Sequence, residues 1–185
     1  MFVAQHIVEI AGVALGLLYL YQELKASRAM WITGMLMPLV SMTVYFRAGL
    51  YADFGINVYY LLAAVWGYFA WRRRGSGGEL PVSRTPLRAV PILASAAAVA
   101  FVVIYFILVR WTDSTVPLQD AFTTALSIVA LYMLSRKWIE QWWVWAVVDA
   151  VSTALYVYKG IPFYAGLYAL YTVLAVFGYF RWRKI

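Results

Sequence analysis

One stretch that occurs twice decides the fold: Gly67-Tyr68-Phe69-Ala70-Trp71-Arg72 returns near the end of the chain as Gly178-Tyr179-Phe180-Arg181-Trp182-Arg183. The two stretches close a longer match, in which residues 31–72 align without a gap to residues 142–183. The offset is a constant 111 positions, with 14 identities in 42. In a membrane protein an internal repeat commonly places the substrate site between the two copies. The repeat therefore guides the search for both fold and function.

The composition indicates a membrane protein. The chain has 185 residues, is 65% hydrophobic and has a mean hydropathy of +0.76, which leaves too little polar surface for a water-soluble fold. Its apolar stretches are about twenty residues long, the length that a helix needs to cross a bilayer core. We predict an all-α membrane protein with seven transmembrane helices, at 5–24, 30–47, 54–72, 89–109, 119–135, 139–158 and 163–182.

The positive charge indicates an orientation. Twelve of the 15 lysines and arginines fall on one side of the seven-helix arrangement, and only Arg47, Arg110 and Lys159 fall on the other. Cytoplasmic loops of membrane proteins carry such an excess. We therefore expect the N-terminus outside and the C-terminus in the cytoplasm. The net charge of +7 is explained by this orientation and does not indicate a nucleic-acid partner. We expect the chain to lie in the lipid bilayer.

Several chemistries are excluded. The sequence has no cysteine, so disulfides and thiolate chemistry are absent. It also lacks a metal-ligand cluster, a nucleophile–base pair, a phosphate loop and a nucleotide-binding fingerprint. We predict that the protein is not an enzyme and holds neither a cofactor nor a metal.

A polar linker, Gly75-Ser76-Gly77-Gly78, divides the chain after helix 3. A segment of three transmembrane helices ends on the side of the membrane opposite to the one where it begins. Two such copies joined directly would therefore have opposite orientations, and one extra helix between them restores the same orientation. We predict a parallel 3+1+3 arrangement. Its parts are a first repeat at 1–74, the linker with connecting helix 4 at 75–111, and a second repeat at 112–185.

Helix 6 carries a face of aromatic and polar residues. Its members are spaced by three or four positions, which puts them on one side of the helix: Trp138, Trp142, Trp145, Asp149, Ser152 and Tyr156. A carboxylate in the membrane is costly unless it is paired or faces water, and no lysine or arginine is predicted at its depth. A cationic substrate held between aromatic rings would supply the missing charge. The alternative left open is a hydrogen bond from Asp149 to a neighbouring hydroxyl in a water pocket.

The two copies differ where a site is expected. Asp149 aligns with Pro38, which either kinks helix 2 beside a cavity or serves packing alone. Asn57, the only asparagine, aligns with Tyr168, and it either binds a hydroxyl-bearing ligand or ties two helices together. The predicted substrate-binding residues are Trp142, Trp145, Asp149, Ser152, Tyr156, Asn57, Tyr60, Tyr168, Tyr171, Trp31 and Pro38. The aromatic residues near helix ends are predicted to be interfacial anchors: Trp71, Trp111, Tyr179 and Trp182.

The chain resembles the PnuC family of bacterial vitamin transporters. The resemblance rests on residues 140–149 (Glu140-Gln141-Trp142-Trp143-Val144-Trp145 through Asp149), on residues 156–160 and on residues 45–53 in the first copy. It implies a seven-helix 3+1+3 bundle, similar in architecture to the SWEET sugar transporters, in the bacterial inner membrane. It also implies uptake by facilitated diffusion, with a cytoplasmic vitamin kinase that traps the product. Family members are similar to carriers of nicotinamide riboside, thiamine or riboflavin.

The sequence departs from the nicotinamide riboside type, because Asn57 is its only asparagine and apolar Leu131 occupies the middle of helix 5. Nicotinamide riboside and thiamine are both aromatic cations, which suit Asp149 and its tryptophans better than neutral riboflavin does. We predict a passive transporter of a cationic aromatic B-vitamin. The alternatives are a riboflavin carrier, a sugar facilitator and a proton-coupled transporter that uses Glu9 and Asp149. Homo-oligomerisation stays open.

Overall fold

The computed structural model describes residues 14–47, 51–72 and 80–185, and the described chain is helical. Residues 14–24 belong to α1. The helices that follow are α2 (Ala29–Arg47), α3 (Tyr51–Arg72), α4 (Ala89–Trp111), α5 (Pro117–Ser135), α6 (Gln141–Tyr158) and α7 (Pro162–Trp182). Within these ranges no strand forms, and one isolated bridge joins Ser83 to Trp138. The predicted all-α fold with seven helices is confirmed, while the start of the first helix and Glu9 lie outside the described residues.

Three of the described helices are long and apolar enough to cross a membrane by themselves, namely α4, α5 and α7. α5 and α7 each begin with a proline, whose missing N–H costs nothing in the first turn of a helix. The turn before α7 contains Gly160 at φ +68°, a left-handed conformation that glycine adopts without strain.

The chain forms two compact units, the first ending at Pro81 and the second beginning at Val82. In the first unit, α2 packs against α3, and the Thr33 hydroxyl donates to Gln22 Oε1 of α1 over 2.7 Å. In the second unit, each of α4, α5 and α6 packs against the next helix in the chain.

The loops that precede α2 and α6 have the same backbone structure at the repeat offset. Ala26 and Lys137 both adopt the left-handed conformation, at φ 50° and 53°. The N–H of Ala26 donates to Glu23 O and that of Lys137 to Leu134 O, over 2.8 and 2.9 Å. The next N–H in each loop reaches back five residues, which completes a Schellman cap at the end of α1 and of α5. The similarity between the two copies thus extends in structure beyond the stretch in which the sequences match.

A buried pair of tryptophans recurs in both units with the same geometry. The rings of Trp31 and Trp71 meet edge to face at 5.5 Å and 87°, and those of Trp142 and Trp182 at 5.5 Å and 88°. Each of the four side chains is at most 2% exposed. The prediction that Trp71 and Trp182 are interfacial anchors was therefore wrong, because both rings fill the space between two helices. Trp111, at 80% exposure, remains available to the interface.

The predicted linker at 75–78 lies outside the described residues. The segment between it and α4 is hydrogen-bonded to the loop between α5 and α6. Ser83 N donates to Lys137 O over 3.0 Å, and Ile139 N donates to Ser83 O over 2.9 Å. Thr85 donates both its backbone N–H and its hydroxyl to Glu140 Oε2, over 2.7 and 2.8 Å. These four bonds fix the chain just before α4 against the start of α6, the helix that carries Asp149.

Candidate substrate site

Asp149 is a buried carboxylate that has no hydrogen bond or salt bridge to any side chain that the structure describes. It lies in the middle of α6 and is 8% exposed. Ser152, one turn further along, is equally buried, and its hydroxyl has no hydrogen bond within the described residues. Hydroxyls elsewhere on these helices bond back to their own backbone, as Thr153 does to Asp149 O and Ser127 to Thr123 O. The polar groups of Asp149 and Ser152 are therefore not used in hydrogen bonds to other described side chains.

Four tyrosines form a continuous cluster between α6 and α7. The Tyr156 ring stacks on Tyr164 at 5.4 Å and 25°, and on Tyr168 at 5.2 Å and 18°. Tyr168 then meets Tyr171 edge to face at 5.8 Å. On α6, Asp149 lies two turns before Tyr156 on the same helix face. The structure thus brings together four predicted site residues on one side of the α6–α7 pair: Asp149, Tyr156, Tyr168 and Tyr171.

The tryptophans of α6 divide into two roles. Trp142 packs against Trp182 and lies directly over Gly178, where an added Cβ would be 2.6 Å from Trp142 Cδ2. Trp145 is half-buried, yet its indole N–H is enclosed and has no acceptor among the described residues. Trp145 lies one turn before Asp149 on the same face of α6.

The first unit holds the remaining predicted residues. Trp31 packs over Gly67 as Trp142 does over Gly178, Pro38 is buried inside α2, and Asn57 and Tyr60 lie one turn apart on α3. Asn57 is half-buried, while Tyr60 is 41% exposed and its ring meets Tyr59 at 5.6 Å. These residues belong to a different compact unit from Asp149.

Tyr164 was not among the predicted substrate-binding residues, and its contact with Tyr156 was not predicted. A signal was present, because Tyr164, Tyr168 and Tyr171 are spaced by four and three residues and must share one face of α7.

No group of three or more His, Cys, Asp or Glu side chains that would hold a metal occurs among the described residues.

Comparison with known proteins decides the family. The family model described as nicotinamide mononucleotide transporter matches residues 6–184. The chain belongs to this family, which includes PnuC. The predicted resemblance is thereby confirmed, and the protein is a multi-pass transporter of the bacterial inner membrane. A transporter family is in keeping with the expectation that the chain is not an enzyme.

Several PnuC-family relatives are similar to this chain. The nicotinamide riboside transporter PnuC of Escherichia coli (strain K12) is 23% identical over 165 residues, which cover 75% of this chain and 69% of the relative. The riboflavin/roseoflavin transporter RibM of Streptomyces davaonensis is 27% identical over 184 residues, or 96% of this chain and 86% of the relative. The fold matches the crystal structure of the vitamin B3 transporter PnuC with a TM-score of 0.69 and 23% sequence identity. The match covers 92% of this chain and 77% of the chain in that crystal structure. At this identity the structural match shows a shared fold.

Proposed function

We propose that the protein takes up a cationic aromatic B-vitamin, nicotinamide riboside or thiamine. Asp149 pairs with the positive ring, Tyr156 stacks on it, and Trp145, Ser152, Tyr168 and Tyr171 complete the wall of the second unit. Asn57, Tyr60 and Pro38 lie in the first unit and are proposed to bind the substrate as well. Trp31 and Trp142 contribute through packing within their own units, where their rings meet Trp71 and Trp182.

The observation that carries the proposal is the unpartnered carboxylate of Asp149. A buried charge in a membrane protein is retained when it pairs with something or lines a substrate path. None of the described lysines or arginines forms that pair. A pyridinium or thiazolium ring supplies both the missing positive charge and a flat surface for the tyrosines.

The proposed transport cycle uses the two repeats as two moving halves. We propose a parallel 3+1+3 arrangement with the N-terminus outside and the C-terminus in the cytoplasm, in the segments 1–74, 75–111 and 112–185. The recurrence of the Schellman caps and of the buried tryptophan pairs at one offset supports it. In the proposed cycle the site is exposed to each side of the membrane in turn. Transport is passive, and a cytoplasmic kinase keeps the vitamin inside by phosphorylating it.

Riboflavin is the second candidate, because the similarity to RibM extends over 96% of this chain. Its neutral ring system also stacks on tyrosines but gains no charge pairing from Asp149. The two candidates therefore differ in what Asp149 contributes to binding.

The test is equilibrium binding of nicotinamide riboside, thiamine and riboflavin to the purified protein, followed by uptake into liposomes. We expect one of the cations to bind more tightly than riboflavin, and its internal concentration to rise only to the external one. Tighter binding of riboflavin than of either cation would favour the second candidate. Accumulation above the external concentration under an imposed pH step, with no kinase inside, would contradict passive transport.

A further inference from the structure

We propose that Tyr164 is a gating ring, which occupies the stacking position on Tyr156 that an aromatic substrate needs. This inference rests on the proposed function, in which Tyr156 stacks on the substrate. Tyr164 competes with the substrate for the face of Tyr156 and thereby lowers the affinity of the site for an aromatic ring.

The geometry leaves no room for a third ring. The centroids of Tyr156 and Tyr164 are 5.4 Å apart and those of Tyr156 and Tyr168 are 5.2 Å apart, with nearly parallel planes in both pairs. A substrate ring inserted between two stacked rings needs a plane separation of roughly 7 Å, since each contact takes about 3.5 Å. A substrate ring that enters either of these two stacks on Tyr156 must therefore displace the tyrosine that forms it.

Tyr164 is the ring that is free to leave. It is 46% exposed, and its other ring contact among the described residues is with its neighbour Phe163. Tyr168 is half-buried and also packs against Tyr171, so its displacement would disturb the residues around Asp149.

The position of Tyr164 in the chain also suits a moving ring. It is the third residue of α7 and lies in the first turn of that helix, where helices open most easily. The preceding turn contains Gly160 in the left-handed conformation, with open space around its Cα. A small rotation of this first turn, or a change of the Tyr164 rotamer, uncovers Tyr156 without moving Asp149.

The stacking chemistry makes the gate selective. When a substrate displaces Tyr164, the substrate ring takes the place of the tyrosine ring on Tyr156. An aromatic substrate therefore recovers the stacking interaction that Tyr164 loses. A sugar of the same size packs on the ring through C–H contacts only and recovers less of it. The gate therefore opens at a lower cost in free energy for aromatic ligands than for aliphatic ones.

The test measures the affinity of purified variants for thiamine and, in parallel, for nicotinamide riboside. Tyr164→Leu removes the competing ring, and we expect the dissociation constant to decrease by about two- to tenfold. Tyr164→Trp strengthens the competing stack, so the dissociation constant should increase. Tyr164→Phe keeps the ring and should leave the constant unchanged. The matched control is Tyr158→Leu, an 83% exposed tyrosine on α6 outside the cluster, which should have no effect.

The outcomes separate this inference from the proposed function. If the wild-type protein binds neither cation, the proposed function fails. If the wild-type protein binds one of them and Tyr164→Leu leaves the affinity unchanged or weakens it, the gating role is wrong while the proposed function stands. Comparing Tyr164→Trp with Tyr164→Phe keeps the test decisive if the leucine variant does not fold.

Discussion

Replacing Asp149 by asparagine will weaken binding of the cationic vitamin by roughly 30-fold, or about 2 kcal/mol, because the amide keeps the shape of the side chain and removes its charge. The same change should raise the thermal stability of the ligand-free protein, since it removes an unpaired buried carboxylate. Weaker binding in a more stable protein cannot be explained by misfolding. Titration of purified protein and a thermal melt measure the two effects.

The control for Asp149→Asn is Asp113→Asn, which makes the same change of net charge at an exposed position between α4 and α5. That variant should bind as the wild type does. A riboflavin titration of both variants tests whether the loss is specific to cations. Unchanged affinity of Asp149→Asn for every cationic vitamin would mean that charge pairing is not the role of this residue.

Replacing Gly178 by alanine will destabilise the protein by roughly 2 kcal/mol. The added methyl group would lie 2.6 Å from the Trp142 ring, and overpacking of this kind usually costs about 1–3 kcal/mol. Gly67→Ala should have the same effect in the first unit, where the added methyl group would overlap the Trp31 ring. Denaturant or thermal unfolding in detergent measures the loss.

Gly166 provides the matched control on the same helix, because no atom lies within 4 Å of its added Cβ. Gly166→Ala should raise stability by about 0.5–1 kcal/mol through helix propensity alone. Combining Gly178→Ala with Trp142→Phe should recover part of the lost stability, as expected for two side chains in direct contact. If Gly178→Ala is as stable as Gly166→Ala, the close packing of Trp142 on Gly178 is incorrect.

The helices could be predicted from the sequence because length and hydropathy alone define them in a membrane. The packing partners could not, as the four tryptophans illustrate. Trp71 and Trp182 lie near helix ends, and that position suggested lipid anchors. The better signal was the glycine four residues earlier in each copy, Gly67 and Gly178, which opens a space on the same helix face for the tryptophan of the neighbouring helix.

The repeat turned out to carry two kinds of information. The identities at Trp31, Gly67 and Trp71, and at their counterparts, describe packing that each unit needs for itself. The difference between Pro38 and Asp149 cannot be explained by shared packing, and it marks the position where we propose that the substrate binds.

Three structural features, one local and two between segments that are distant in sequence, were not predicted, each for a physical reason. The left-handed residues of the two Schellman caps are Ala26 and Lys137, where sequence patterns favour glycine. The bonds from Thr85 to Glu140 join residues 55 positions apart, and no local preference of either segment specifies them. The stacking of Tyr156 on α7 depends on the register between two helices, which the periodicity of one helix does not contain.

The most direct test of the central claim is to change the charge of the ligand and leave its shape unchanged. Thiamine is compared with the isostere in which a neutral thiophene replaces the thiazolium ring, and nicotinamide riboside with its neutral dihydro form, by titration of the wild-type protein. We predict that the cation of the transported pair binds at least about tenfold more tightly than its neutral partner, because only the cation pairs with Asp149. Equal affinity within each pair, or tighter binding of the neutral form, would contradict the claim that Asp149 selects a cationic vitamin.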